Sequence, residues 1–306
     1  MDVVELHRRA VAEFVRQVAA VRADQWGAPT PCPDWDVREL VNHVVGEERW
    51  TVPLMAGRTI SEVGSSLDGD LLGDDPAAAA DQAARAAQDA LAEGIPRDAT
   101  VQLSYGEESA AEYAYQLAAD HLVHGWDLAV AIGGTAQLDP EVVEAVSAWF
   151  KDREELYRGG GAIGARVDGF SSASDSLIGA FGRDPAWTPG HTAVALLGAA
   201  FGAGDVDAIM AQMTDDCVFE STSPAPDGAR YEGAEAVREQ WRKLFAETPD
   251  PLFETEEWVV RGDRAIVRWK FSWASGDDGE RGHVRGVDVM RLRDGKVAEK
   301  LSYVKG

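Results

Sequence analysis

The hydrophobic period of this chain changes once, and the change divides it. Before "GRDPAWTPG", 182–190, apolar residues recur at helical spacing; after it, the long segments alternate apolar and polar residues. A face that repeats every 3.6 residues and one that repeats every two cannot belong to the same element. Two domains are therefore expected, 1–187 and 190–306. The length of 306 residues agrees, since single cores stop growing near ~250–300 residues.

In the first half, helical spacing predicts a helix over 3–22. The three prolines of "APTPCPDW", 28–35, require an extended loop. Asp36 with Glu39 has the spacing of a capping box and opens a second helix, to about Gly57. The Ala-rich stretch 76–93 gives a third. Ser109 with Glu112 opens another, ending at Gly133-Gly134, and Asp139-Pro140 starts one that runs to about Arg158. The "GGG" at 159–161 reads as helix termination followed by a loop, not as a phosphate cradle. Short connections favour antiparallel packing of these helices.

Beyond a linker at 186–190, one or two helices over 191–213 and one over 233–246 accompany the strands. In "RAIVRWKFSWA", Ala265, Val267, Trp269, Phe271 and Trp273 share one face. The Gly-Asp of "VVRGDRA" and the Asp-Gly of "RLRDGKV" are hairpin turns. A further turn is expected in "GDDGERGH", with His283 beside it as a surface residue. Trp241, Trp258, Trp269 and Trp273 read as core or pocket wall.

A formal charge of −24 argues against a nucleic-acid partner, which needs a basic surface. No apolar run approaches a bilayer span, and "MDVVELHRRAVAEFV" reads as an amphipathic helix rather than a signal peptide. A cytoplasmic, soluble protein without a membrane partner is expected. Cys32 and Cys217 fall in different domains without a CxxC partner, which argues against a disulfide framework.

The chemistry concentrates in "AADHLVHGWDLA", 118–129. Asp120 and His124, four apart on a helix, present a carboxylate and an imidazole to one spot. A catalytic metal site of the zinc type takes about three protein ligands. His43, in "RELVNHVVGEERW" on a face expected to be buried, can supply the third. Spacing alone leaves open the plainer reading, in which each histidine is a satisfied core or surface residue. His121 is expected to point elsewhere. Trp126 and Asp127 are expected to pack and hydrogen-bond within the bundle, with orientation of a ligand histidine as the alternative for Asp127.

The combination of "PTPCPDWDVRELVNHVVGEERW" at 29–50, "HLVHGWDLAVAIGG" at 121–134 and "GRDPAW" at 182–187 resembles the mycothiol-dependent maleylpyruvate isomerase-like, DinB-type metalloproteins. The resemblance implies a four-helix bundle and a divalent metal, commonly zinc, held by His43, Asp120 and His124. Asp120 stands where the family has Glu, one methylene shorter. It also implies a small thiol, mycothiol, as cosubstrate: a metal-bound thiolate adds to or displaces at a small organic substrate, in isomerisation or S-transfer.

Residues 191–306 resemble the SnoaL-like, nuclear-transport-factor-like fold, through "GAGDVDAIMAQMTDDCVFE", "YEGAEAVREQW" and "GVDVMRLRDGKVAEKLSYV". This implies an α+β cone with a curved antiparallel sheet around a pocket. Asp288 then faces the pocket with Met290 and Leu292, and a carboxyl among apolar neighbours is a candidate acid/base catalyst. Leu197 and Ser221 stand where ketosteroid isomerases have a Tyr and the general-base Asp, which argues against steroid chemistry. The alternative functions are thus an isomerase or cyclase acting in this second pocket, or a small-ligand-binding protein. The expected partners are a small-molecule substrate and a small thiol, with a homodimer left open.

Overall fold

The computed structural model of the chain describes residues 1–92, 94–134, 136–275 and 280–305. It divides into two compact units, Met1–Pro185 and Ala186–Gly306. Of the turn expected in "GDDGERGH", 276–283, residues 276–279 lie outside the described residues. No helix among the described residues is long and apolar enough to cross a membrane.

The first unit is helical. Its order is α1 (Val3–Ala19), α2 (Val37–Met55), α3 (Ile60–Val63), α4 (Pro76–Leu91), the hairpin β1 (Thr100–Leu103) and β2 (Gly106–Ser109), then α5 (Ala110–Ala131), α6 (Pro140–Phe150), α7 (Glu154–Gly159) and α8 (Ala173–Ala180). The Asp36–Glu39 capping box is formed in both directions. The long helices pack pairwise, α1 on α5 and α4, and α2 on α4 and α5. Because α5 is apolar nearly all round, its buried residues cover every face from Leu117 to Leu128. Any polar side chain in its middle must therefore find a partner inside the protein.

Two local expectations change, for one reason. Ser109 caps α5 by accepting from the Glu112 backbone N–H, but the Glu112 carboxylate does not reach back to close the box. It instead accepts from Arg153 Nε and Nη2, at 2.6 and 2.7 Å, and from Trp149 Nε1 at 3.1 Å. Arg153 is the residue at which the single helix expected over 140–158 breaks into α6 and α7. A charge-assisted pair at a helix junction outweighs the modest worth of one capping contact.

The second unit is α+β, with α9 (Pro189–Ala203), α10 (Val206–Ala211), β3 (Met213–Glu220), β4 (Arg230–Glu232), α11 (Ala234–Glu247), β5 (Leu252–Arg261), β6 (Arg264–Ala274), β7 (Arg281–Arg293) and β8 (Lys296–Val304). The sheet order is β4-β3-β8-β7-β6-β5, antiparallel throughout except for β3 beside β8. Asp294 and Gly295 both take positive φ, 52° and 70°, the signature of the tight turn that joins β7 to β8. The parallel β3–β8 pairing escaped the sequence reading, because period-two alternation says nothing about which strands become neighbours. The core joins Leu197 and Phe201 of α9, Val237 and Trp241 of α11, and the inward faces of β3, β6, β7 and β8. Each such side chain fully buried contributes about 1.5–3 kcal/mol.

Candidate metal centre in the helical unit

His43 comes from α2, and Asp120 and His124 from successive turns of α5. His43 Nε2 stands 3.6 Å and His124 Nε2 3.3 Å from the same Asp120 Oδ1. The structure thus brings the three expected residues together, with donor atoms within 4.8 Å of one another. Side-chain exposure is 29% for His43 and Asp120 and 8% for His124, so the cluster borders an opening. That opening is a cavity of about 270 Å³, lined also by Glu47, Tyr113, Trp149 and Arg183.

The second ring nitrogen of His124 is fixed from behind. Its Nδ1–H donates to Asp127 Oδ2 at 2.9 Å, which leaves Nε2 directed toward Asp120. Asp127 is fully buried and accepts in turn from Arg183, at 3.0 and 3.3 Å. Arg183 also donates to the Cys32 sulfur at 3.4 Å. Asp127 thus packs and hydrogen-bonds within the helical unit, as expected, and because one of its partners is His124 it also takes the alternative role of orienting that ring. Its carboxyl is buried, which alone would raise it, but the Arg183 and His124 charges hold it below the ordinary value. Trp35, from the proline-rich loop, lies over His43 with ring centroids 4.6 Å apart.

The carboxylate and the two imidazoles of the cluster perturb one another strongly. Burial would raise the Asp120 carboxyl, yet the His124 and His43 rings outweigh it and hold the group well below its usual range. Burial would lower His124, and Asp120 raises it well above the ordinary imidazole value. Asp120 Oδ2 is buried with no hydrogen-bond partner. The N···O separations of 3.3 and 3.6 Å exceed good hydrogen bonds but suit ligands about 2.0–2.2 Å from a shared ion. The donor set of two imidazoles and one carboxylate fits a divalent metal with an open position.

Sequence reading overlooked Glu47, one turn beyond His43. Burial, and then the nearby Asp120 charge, raises its carboxyl. Its spacing from His43 was the available signal. His121 points away from the cavity, as expected, toward Glu48 and His7. Burial would raise the Glu48 carboxyl, but the His121 and His7 rings outweigh it and hold it at about 2. A depressed carboxylate contributes stability that is complete above its ordinary value of 4.5 and is lost as pH falls toward 2. In protein kept metal-free by chelator, unfolding free energy should fall through this window by on the order of 3 kcal/mol. Glu48→Gln should flatten the slope, measured by denaturant titration at successive pH values; an unchanged slope would show that the group does not titrate there.

In the second unit, Asp288, Met290 and Leu292 share the buried face of β7, as alternation required. The surroundings of Asp288 correct the expectation of apolar neighbours. Strand register sets Asp288 opposite Ser302 and Met290 opposite Lys300. Lys300 Nζ lies 2.8 Å from Asp288 Oδ2, and Ser302 Oγ donates to Oδ1 at 2.6 Å. The ammonium also stands 5.1–5.4 Å from the ring centroids of Phe201, Phe219 and Trp241. Gly286 leaves room for Trp269, whose ring would meet a Cβ there at 2.3 Å. The pocket between Leu197, Trp269, Asp288 and Lys300 has a free volume of only about 30 Å³, enough for a water. The Ser221 hydroxyl is engaged by its own 221–229 loop. His283 is exposed, as expected.

The chain thus joins a helical unit holding a His–Asp–His cavity to an α+β unit with a small sheet-lined pocket. Residues 7–129 match the mycothiol maleylpyruvate isomerase N-terminal domain and residues 194–300 the SnoaL-like domain, and the chain belongs to these two families over those stretches. Two Mycobacterium tuberculosis proteins, both described as uncharacterised, MT0763 of strain CDC 1551 and Rv0738 of strain H37Rv, are each 36% identical over 149 residues, 48% of this chain and 78% of theirs. Among solved structures, an NTF2-like protein of unknown function from Mesorhizobium loti is 37% identical, with 39% of this chain and 92% of that one covered and a TM-score of 0.34. Another from Burkholderia pseudomallei is 17% identical over 39% and 92%, also with a TM-score of 0.34. At such TM-scores these two likenesses carry no functional argument.

Proposed function

We propose that the helical unit is a metal-dependent thiol-activating centre, with His43, Asp120 and His124 holding a divalent ion, zinc above all. In this reading the protein isomerises a small organic substrate, or transfers a thiol to it, with a mycothiol-like thiol as cosubstrate. The observation that carries it is the spacing of two imidazole nitrogens around one carboxylate oxygen at 3.3 and 3.6 Å, open to a cavity of about 270 Å³. When bound, the ion supplies positive charge that favours thiolate over neutral thiol. The chain's own groups do the rest. Asp127 holds the His124 ring in one tautomer, and Arg183 holds Asp127. Trp35 confines the His43 ring. Glu47, raised by burial, stands on the cavity wall as the group able to carry a proton to or from substrate.

The volumes of the two pockets favour this unit over the second as the seat of chemistry. About 270 Å³ admits a small substrate, whereas about 30 Å³ beside Asp288 does not. The test is elemental mass spectrometry on protein purified without chelator, compared with His43→Ala. The reading expects the variant to lose about one ion per chain. An identical metal content in both proteins, after incubation with zinc, nickel or cobalt, would overturn it.

A further inference from the structure

Three side chains that line no part of this cavity converge in the interior of the same helices. His7 of α1, Glu48 of α2 and His121 of α5 are 1%, 2% and 0% exposed. His7 Nε2 lies 2.9 Å and His121 Nε2 2.7 Å from a single oxygen, Glu48 Oε1. His121 Nδ1 bonds to the Leu117 carbonyl one turn earlier, which assigns the Nδ1 proton and leaves Nε2 as the atom offered to Glu48. Although close, that nitrogen is out of line for a hydrogen bond. His121 Nε2, Glu48 Oε2 and His7 Nδ1 are all buried without a hydrogen-bond partner. A native interior rarely leaves three such atoms in one cluster, and an ion is one of the occupants that explains them.

The geometry points to a second divalent-cation site, built from His7 Nε2, His121 Nε2 and both carboxylate oxygens of Glu48. One ion at the convergence gives a ligand bond to His121 Nε2, otherwise only in ion-pair contact with Glu48, and to Glu48 Oε2, while His7 Nδ1 stays without a hydrogen bond. Glu48 can supply two oxygens, so the donor set closes at four without solvent, as in structural rather than catalytic sites. His121, backed by a peptide carbonyl, has the support that metal-bound histidines usually have. Two imidazoles and a carboxylate select a transition ion such as zinc, cobalt or nickel over magnesium or calcium. Ligands about 2.0–2.2 Å from an ion stand roughly 3.3 Å apart, so each nitrogen must retreat by about half an ångström. Such an ion would tie α1, α2 and α5 together at the centre of the unit. It shares no ligand with the cavity site, and neither proposal depends on the other.

The experiment is a metal count on full-length wild type, His43→Ala, His7→Gln and Glu48→Gln, each saturated with zinc and desalted before elemental mass spectrometry. The expected result is about two ions in wild type and about one in each variant. A wild-type count near one, lost in His43→Ala and kept in His7→Gln and Glu48→Gln, overturns the second site and leaves the proposed function intact. The reverse pattern supports the second site and overturns the cavity centre. A count near zero overturns both. If the buried variants do not fold, His43→Ala decides alone: about one ion retained, with a thermal midpoint that drops when chelator is added, supports the site, and no retained ion overturns it.

Discussion

Lys300→Ala should destabilise the second unit by about 3–5 kcal/mol, because it strands the Asp288 carboxylate in the interior without its counter-charge. The pair is buried, 6% and 4% exposed, with the ammonium 2.8 Å from Oδ2 and aromatic rings on its other side. Removing one ion of such a pair costs more than the pair itself is worth, since desolvation of the survivor is no longer offset. For a unit of this size the thermal midpoint should fall by about 10 °C or more. Replacing both partners, Lys300→Met with Asp288→Leu, should recover most of the loss, because similarly sized apolar groups leave no charge behind. Differential scanning calorimetry on the full chain measures both. A loss below about 1 kcal/mol in Lys300→Ala, the range of an exposed pair, would show that the ammonium is solvated.

His124→Ala should abolish thiol-dependent turnover, Asp127→Asn should weaken metal retention about 10–100-fold, and Asp288→Asn should leave turnover measurable. The ordering follows from distance to the reacting centre in the proposed function: His124 holds the ion, Asp127 holds His124 at 2.9 Å, and Asp288 belongs to the other unit. Acid/base assistance is worth about 10²–10⁴-fold where it operates, so even a contributing Asp288 leaves activity above background. The comparison uses saturating thiol, with metal content measured on the same samples. Full activity in metal-free protein, together with a folded but inactive Asp288→Asn, would move the chemistry to the SnoaL-like unit.

Much of the candidate centre was legible because helix geometry is local. The i, i+4 spacing of Asp120 and His124 fixes their common direction whatever surrounds them, and α5 is apolar enough that its middle had to be interior. His43 could be nominated from the burial expected of its helix face. Glu48 stands beside Glu47 in sequence, and two adjacent acids have the pattern of a solvated face. His7, among arginines in "ELHRRA", has the same pattern. Both are buried because α1 and α2 meet α5 at these residues, and no spacing within one helix records which turn of another helix it will touch.

The sequence by itself determined the change from helical to strand architecture, the loop at 28–35, the cap at Asp36, the turn at Asp294-Gly295 and the shared face of Asp288, Met290 and Leu292, since each depends on backbone preference and on periodicity over a few residues. Tertiary structure alone decided the rest. It set Lys300 against Asp288 through strand register, drew Glu112 from its cap to Arg153, fixed His124 through Asp127 and Arg183, and closed His7, Glu48 and His121 around one oxygen. These are contacts between residues 12 to 114 positions apart in or across elements, or closer ones whose partners depend on such contacts. Their energies depend on which desolvated groups meet, and local sequence does not encode that meeting.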